Sequence, residues 1–249
     1  MSKVQIIIDS TAYFSEEYIK ENNIEMVSLS VELDGHTDKE GLPGTFDNFY
    51  ENLINSKSFP KTSQPPVGEF IEAYERAFER GDEILAITFS SKLSGTYNSA
   101  CMAAEMTDKE KITVIDSQTA VGNYRKIVDT AVQMSKAGSN KEKIIEEINK
   151  IKQNMSINLT VDTLEYLKRG GRLTNAQAIV GALLNIKPII GLIDGELIAT
   201  EKVRGKKKAI DFMISAIPEG AKSISIEHVQ NIEESESIKE KIQEKFKNI

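Results

Sequence analysis

Short apolar runs alternate with amphipathic stretches through the first half of the chain, and this alternation restricts the possible folds more than any other feature. The runs are Val4–Ile8 (VQIII), Met26–Val31 (MVSLSV), Glu83–Phe89 (EILAITF) and Lys111–Asp116 (KITVID). They are rich in β-branched residues and closed by polar joints, as strands are. Between them Phe46, Phe49, Tyr50, Leu53 and Ile54 recur at helical spacing, and so do Val67, Phe70, Ile71, Tyr74, Ala77 and Phe78. Strands apolar on both faces need helices on both faces to cover them. The pattern therefore predicts an α/β fold built on a mostly parallel sheet.

The pattern changes after a long helical region, 121–151, broken at Gly138-Ser139-Asn140. A strand at Ser156–Val161 is followed by DTLEYLKRGGRLTNAQAIVGALL. The runs IKPIIGLI and ELIATEK come next, joined by Asp194-Gly195, a hairpin signal. A helix over Lys206–Ala216, a strand over Ser223–Glu227 and a charged helix over Glu233–Lys247 complete the series. We place a domain boundary near residue 152, giving a parallel α/β domain at 1–152 and a smaller α/β domain at 153–249. With 249 residues and 40% hydrophobic content, the chain can bury a substantial core in this way.

Charge and composition exclude several functions. There are 38 acidic and 31 basic residues, for a net charge of −7, which argues against a general nucleic-acid binder. A single cysteine, Cys101, allows no internal disulfide and reads as a small core residue. With only His36 and His228 beside it, a Cys/His zinc site lacks ligands, so no metal site is expected. The apolar run before Asp9 is too short for a signal peptide. AIVGALLNIKPIIGLI is interrupted by Asn185, Lys187 and Pro188, so it is not expected to span a membrane. A cytoplasmic protein is the expectation.

In an open parallel sheet, ligands bind beyond the carboxyl ends of the strands. Three of the expected strands end there in hydroxyl or acid groups: Asp9-Ser10-Thr11, Ser90-Ser91-Lys92-Leu93-Ser94-Gly95-Thr96 and Asp116-Ser117. A fourth segment, KTSQPPVGEF, sets Thr62 and Ser63 before two prolines and a helix. Each segment alone could be an ordinary helix cap, but four aimed at one edge suit a site better. Hydroxyls and helix N-terminal amides donate hydrogen bonds to an anion. Neither GxxxxGK[ST] nor GxGxxG occurs, so nucleotide binding by those loops is unsupported. Further on, KRGGRL carries Arg169 and Arg172 at a glycine turn. EKVRGKKKA places Lys202, Arg204 and Lys206–Lys208 at a helix start, where cations are disfavoured and an acidic partner would explain them.

IIIDSTA, KTSQPPVGEF, SSKLSGTYNSA, TVDTLEYLKRGGRL, NIKPII and KVRGKKKA together resemble, in order, the DegV family of bacterial fatty-acid-binding proteins. The resemblance implies two α/β domains with a fatty acid between them, its tail in an apolar tunnel to which AIVGALLNIKPIIGLI would contribute a wall. Its carboxylate would meet Thr62 and Ser94, supported by the amides around Gly95 and by Asp9, Ser10, Thr11 and Ser63. Arg204 matches a basic position implicated in docking a fatty acid kinase, with Lys206, Arg169 and Arg172 as further partner or anion contacts. The chain would then present its fatty acid to that kinase for conversion to an acyl phosphate. It would carry no catalytic residue and no cofactor of its own.

Two departures from the family pattern stand out. Asn123-Tyr124-Arg125 replace a small-residue helix start, and the sequence stops at EKFKNI, before the further strand and the His-Thr-Gly-Pro-Gly segment usual in the family. The second domain is accordingly expected to be incomplete. Two other functions compete. One is a phosphate-ester hydrolase or phosphotransferase with Asp9 as nucleophile, although such enzymes normally carry a second carboxylate where this chain has Thr11. The other is a protein-interaction module with a degenerate pocket.

Overall fold

A strand that is to sit at the centre of a sheet must tolerate burial on both faces, and VQIIID does. β1 (Val4–Asp9) is buried along its whole length, and the amide of Gln5 donates to the Arg80 carbonyl at 2.9 Å. It pairs in parallel with β2 (Glu25–Val27) on one side and β6 (Glu83–Thr88) on the other. β6 pairs in parallel with β7 (Ile112–Asp116), giving the order β2-β1-β6-β7. The computed structural model describes residues 4–81, 83–174 and 185–247. The chain divides into two compact units, Met1–Met155 and Ser156–Ile249.

Strand alternation sends neighbouring residues to opposite faces, and helices cover both. On one face, Ile6, Ile8, Leu85 and Ile87 pack against α5 (Val121–Lys136) and α6 (Lys141–Lys152) through Ile127, Val128, Ala131, Ile144 and Ile148. On the other, Ile7, Ile84 and Ala86 pack against α3 (Val67–Phe78) and α4 (Thr96–Thr107) through Phe70, Ala73, Tyr74, Ala77, Ala100 and Ala103. The alanines let α4 lie close to the sheet. Cys101, expected in the core, is half-buried beside Tyr97 instead, and burial raises its thiol pKa.

The run Met26–Val31 is not one strand. β2 ends at Val27, and β3 (Ser30–Leu33) belongs to a second, antiparallel sheet with β4 (His36–Lys39) and β5 (Lys61–Ser63), in the order β4-β3-β5. The chain leaves the first sheet at Leu29. There its amide donates to Ser10 Oγ at 3.1 Å and its carbonyl accepts from the Glu40 amide at 2.7 Å. α1 (Glu16–Glu21) and α2 (Asp47–Asn55) complete the first unit with a 3₁₀ turn at Ser10–Ala12.

The second unit is a four-stranded sheet in the order β8-β10-β11-β9. Its strands are β8 (Asn158–Leu159), β9 (Leu173–Thr174), β10 (Ile186–Ile193) and β11 (Glu196–Arg204). β10 and β11 form the expected hairpin, with Asp194 (φ 49°) and Gly195 (φ 83°) as its two-residue turn. α7 (Glu165–Arg169), α8 (Lys206–Ser215) and α9 (Ile232–Lys245) accompany the sheet. The strand expected over Ser156–Val161 pairs only at Asn158 and Leu159. Ser223–Glu227, also expected as a strand, forms no ladder among the described residues; alternation alone supplies no partner for its backbone groups. Ala178–Leu184 of the expected tunnel wall lie outside the described residues. In the remainder of that run, Ile189 and Ile190 are fully buried.

Candidate functional site

The strand order places the carboxyl ends of β1, β6 and β7 side by side, and side chains from each join the loops. Asp9 is fully buried at the end of β1. One of its oxygens accepts from the Thr11 amide at 3.0 Å and hydroxyl at 2.6 Å; the other accepts from the Phe89 amide at 2.9 Å. Burial pushes its pKa up to about 6, against the downward pull of these hydrogen bonds. Tyr124 supports the same corner from α5, accepting from the Asp9 amide at 3.2 Å and donating to the Ile87 carbonyl at 2.6 Å. At the end of β7, Asp116 accepts from the amides of Ser91 at 3.1 Å and Gln118 at 2.8 Å.

These bonds define what the Asp9-Ser10-Thr11 turn can do. Ser10 Oγ donates to Glu40, which also accepts from the Tyr13 hydroxyl at 3.0 Å. All three turn residues are buried, and their side chains point to protein partners, so they hold the loops in place. The competing nucleophile reading of Asp9 has no geometric support, because both of its oxygens are occupied by donors and neither reaches solvent.

The loop after β6 folds back on itself before α4 begins. The Leu93 amide donates to the Ser90 carbonyl at 3.0 Å, and the Lys92 amide to Ser90 Oγ at 3.2 Å. Ser94 Oγ, half-exposed, lies 2.9 Å from Thr96 Oγ1 and accepts from the Thr96 amide at 3.3 Å. Gly95 occupies the N-cap of α4 with no side-chain cap, so the first amides of that helix lie beside Ser94. Thr62 and Ser63 are exposed on β5, paired with Val31 and Ser30 of β3, and among the described residues their hydroxyls have no protein partner.

One side chain ties this strand to the loop. Gln64 Nε2 donates to Ser99 Oγ in α4 at 2.9 Å, and its carboxamide lies over Gly95, where a Cβ would collide with it. Thr62, Ser63, Ser94 and Gly95 are thus carried by two segments held together through Gln64. They offer hydroxyls and helix amides, an arrangement that can receive an anion such as a carboxylate.

The basic candidates belong to the second unit. Arg204 ends β11, is exposed, and has no ion pair among the described residues. Lys206, in the first turn of α8, pairs with Glu234 at 2.7 Å, which offsets its position at a helix start. Arg169 pairs with Glu165 one turn away at 3.1 Å, and Arg172 donates to the Gly170 carbonyl. Gln64, Glu40 and Tyr124 did not emerge from the sequence as site residues. Gln64 follows Thr62-Ser63 directly, and its neighbourhood was the only available signal. No local pattern marks Glu40. Tyr124 was visible as a departure from the family, and its bulk fills core behind Asp9.

Among the described residues, no three His, Cys, Asp or Glu side chains gather as metal ligands, and no helix is long and apolar enough to cross a membrane. The sequence model of the family described as "Uncharacterised protein, DegV family" matches residues 3–249. A DegV domain-containing protein of Listeria innocua is 35% identical over 253 residues, covering 99% of this chain and 89% of that protein. Among solved structures, DegV of Bacillus subtilis, described as a fatty acid binding protein, shares 33% identity with a TM-score of 0.86, covering 100% of this chain and 90% of that one. A Thermotoga maritima protein described as revealing fatty acid binding function shares 31% identity with a TM-score of 0.83, covering 98% and 88%.

Proposed function

The chain belongs to the DegV family, and on that footing we propose that it binds a long-chain fatty acid and presents the carboxylate to a fatty acid kinase for phosphorylation. The observation that carries this reading is the junction of β5 with the α4 start. There Gln64 links the segment that carries Thr62 and Ser63, on β5 of the antiparallel sheet, to the start of α4 beside Ser94, and these hydroxyls and helix amides suit a carboxylate. The fatty-acid binding described for the B. subtilis and T. maritima relatives supports the ligand class.

The energetics divide the work between tail and head. Burying about 15 methylenes contributes on the order of 12 kcal/mol gross. A hydrogen bond to the charged head adds about 1.5–3 kcal/mol. The tail supplies most of the affinity, while Thr62 and Ser94 fix where the reactive oxygen points. Arg204, exposed and without an ion pair among the described residues, is the candidate contact for the acidic surface of the kinase, with Lys206, Arg169 and Arg172 as secondary contacts. In this reading the chain performs no chemistry alone and carries no cofactor.

Thr62→Ala and Ser94→Ala test the head-group assignment. Each is expected to lower oleate affinity by about tenfold, the loss of one hydrogen bond to a charged group, and to lower kinase-dependent acyl phosphate formation by more than that. Turnover unchanged in both variants would remove these residues from the site.

A further inference from the structure

Gly95 has no conformational reason to be glycine. Its backbone sits at φ −74°, ψ 6°, outside the left-handed region that favours glycine. What requires the missing side chain is space. A Cβ at position 95 would overlap the carboxamide of Gln64, which crosses the turn to reach Ser99 Oγ at 2.9 Å. Ser99 is buried in the first turn of α4, and its amide closes that turn on the Gly95 carbonyl at 3.0 Å. The partners of Gln64 thus begin directly after Ser94. On the other side of the contact, Gln64 is two residues beyond Thr62, and side chains two apart in extended backbone share a face.

We infer that Gln64 is a positioning residue for the carboxylate site: lying across Gly95 onto Ser99, it sets the separation and facing of Thr62 and Ser94, and so the selection of a carboxylate head over an uncharged one. This rests on the proposed fatty-acid reading. The device is a side chain braced against a glycine, and it has a distinctive consequence. The atoms met by a Cβ at position 95 all belong to the far end of a flexible side chain, so Gly95→Ala can be accommodated by swinging Gln64 away. The fold survives and the brace is lost.

The experiment measures binding of oleate and of oleyl alcohol to wild type, Gln64→Ala, Gly95→Ala, the double variant and Ser94→Ala, with thermal unfolding of each protein. Wild type is expected to prefer oleate. Both single brace variants are expected to lose about tenfold of that preference, with alcohol affinity unchanged and unfolding temperature within about 2 °C of wild type. The double variant is expected to lose no more than either single, since both remove the same contact. Brace variants that keep the wild-type preference while Ser94→Ala loses it would overturn the inference and leave the carboxylate site standing. Losses that add in the double variant would also overturn it. A wild type that binds neither ligand, or does not distinguish them, would overturn the fatty-acid reading and the inference with it.

Discussion

Asp9 is a carboxyl group fully buried at the end of β1. Its oxygens accept from the Phe89 amide and the two donors of Thr11, and the acid Glu40 adds to the upward pull of burial on its pKa. Burial raises its folded-state pKa to about 6, from the ordinary value of 3.8. The folded protein therefore holds this proton more tightly than the unfolded chain. The contribution is fully present below about pH 4 and is lost as pH rises through 6, by about 3 kcal/mol in total. Urea unfolding at pH 4.5 and 7.0 is expected to show a larger drop in stability for wild type than for Asp9→Asn, which cannot titrate. Equal drops in the two proteins would contradict this. The sequence made Asp9 conspicuous as a strand-end acid. A supporting role in the loop was readable there, but its partner was not, because the Phe89 amide lies 80 residues away.

At the scale of elements, legibility followed local chemistry. The hairpin of β10 and β11 was readable from Asp194-Gly195, the helices α2 and α3 from their apolar spacing, and α5 and α6 as one helical region broken at Gly138-Ser139-Asn140. The same Asp-Gly dipeptide at 34–35 joins β3 to β4, yet Glu32, His36, Thr37 and Asp38 flank it, and so polar a pair of strands carries no hydrophobic alternation. The split of Met26–Val31 was hidden for the opposite reason. Its alternation runs unbroken, and the break is imposed by Ser10 and Glu40 from elsewhere in the chain. The step from β11 into α8 depends on one residue: Gly205, at φ 91° and ψ 145°, occupies a backbone region essentially reserved for glycine. Nothing lies closer to a Cβ there than Asn185 Nδ2 at 3.8 Å, so the cost of a side chain is backbone strain alone. Gly205→Ala is expected to destabilise the protein by about 1–3 kcal/mol in urea unfolding. An unchanged midpoint would show that the backbone relaxes there freely.

For the molecule as a whole, the ordered motifs gave the family and the α/β architecture. The head-group candidates Thr62 and Ser94 came from the resemblance of their segments to the family, alongside a cluster of hydroxyls at strand ends. Their mutual placement was not legible, since it depends on Gln64 reaching a helix 35 residues later in the chain and on the glycine that makes room for it. The central claim is that this chain carries a fatty acid, and native mass spectrometry of the full chain purified from bacteria tests it most directly. The spectrum is expected to show a complex heavier than the bare chain by the mass of one long-chain fatty acid, with the acid released on denaturation. Bare protein alone, with no complex formed on adding oleate or palmitate, would contradict the claim.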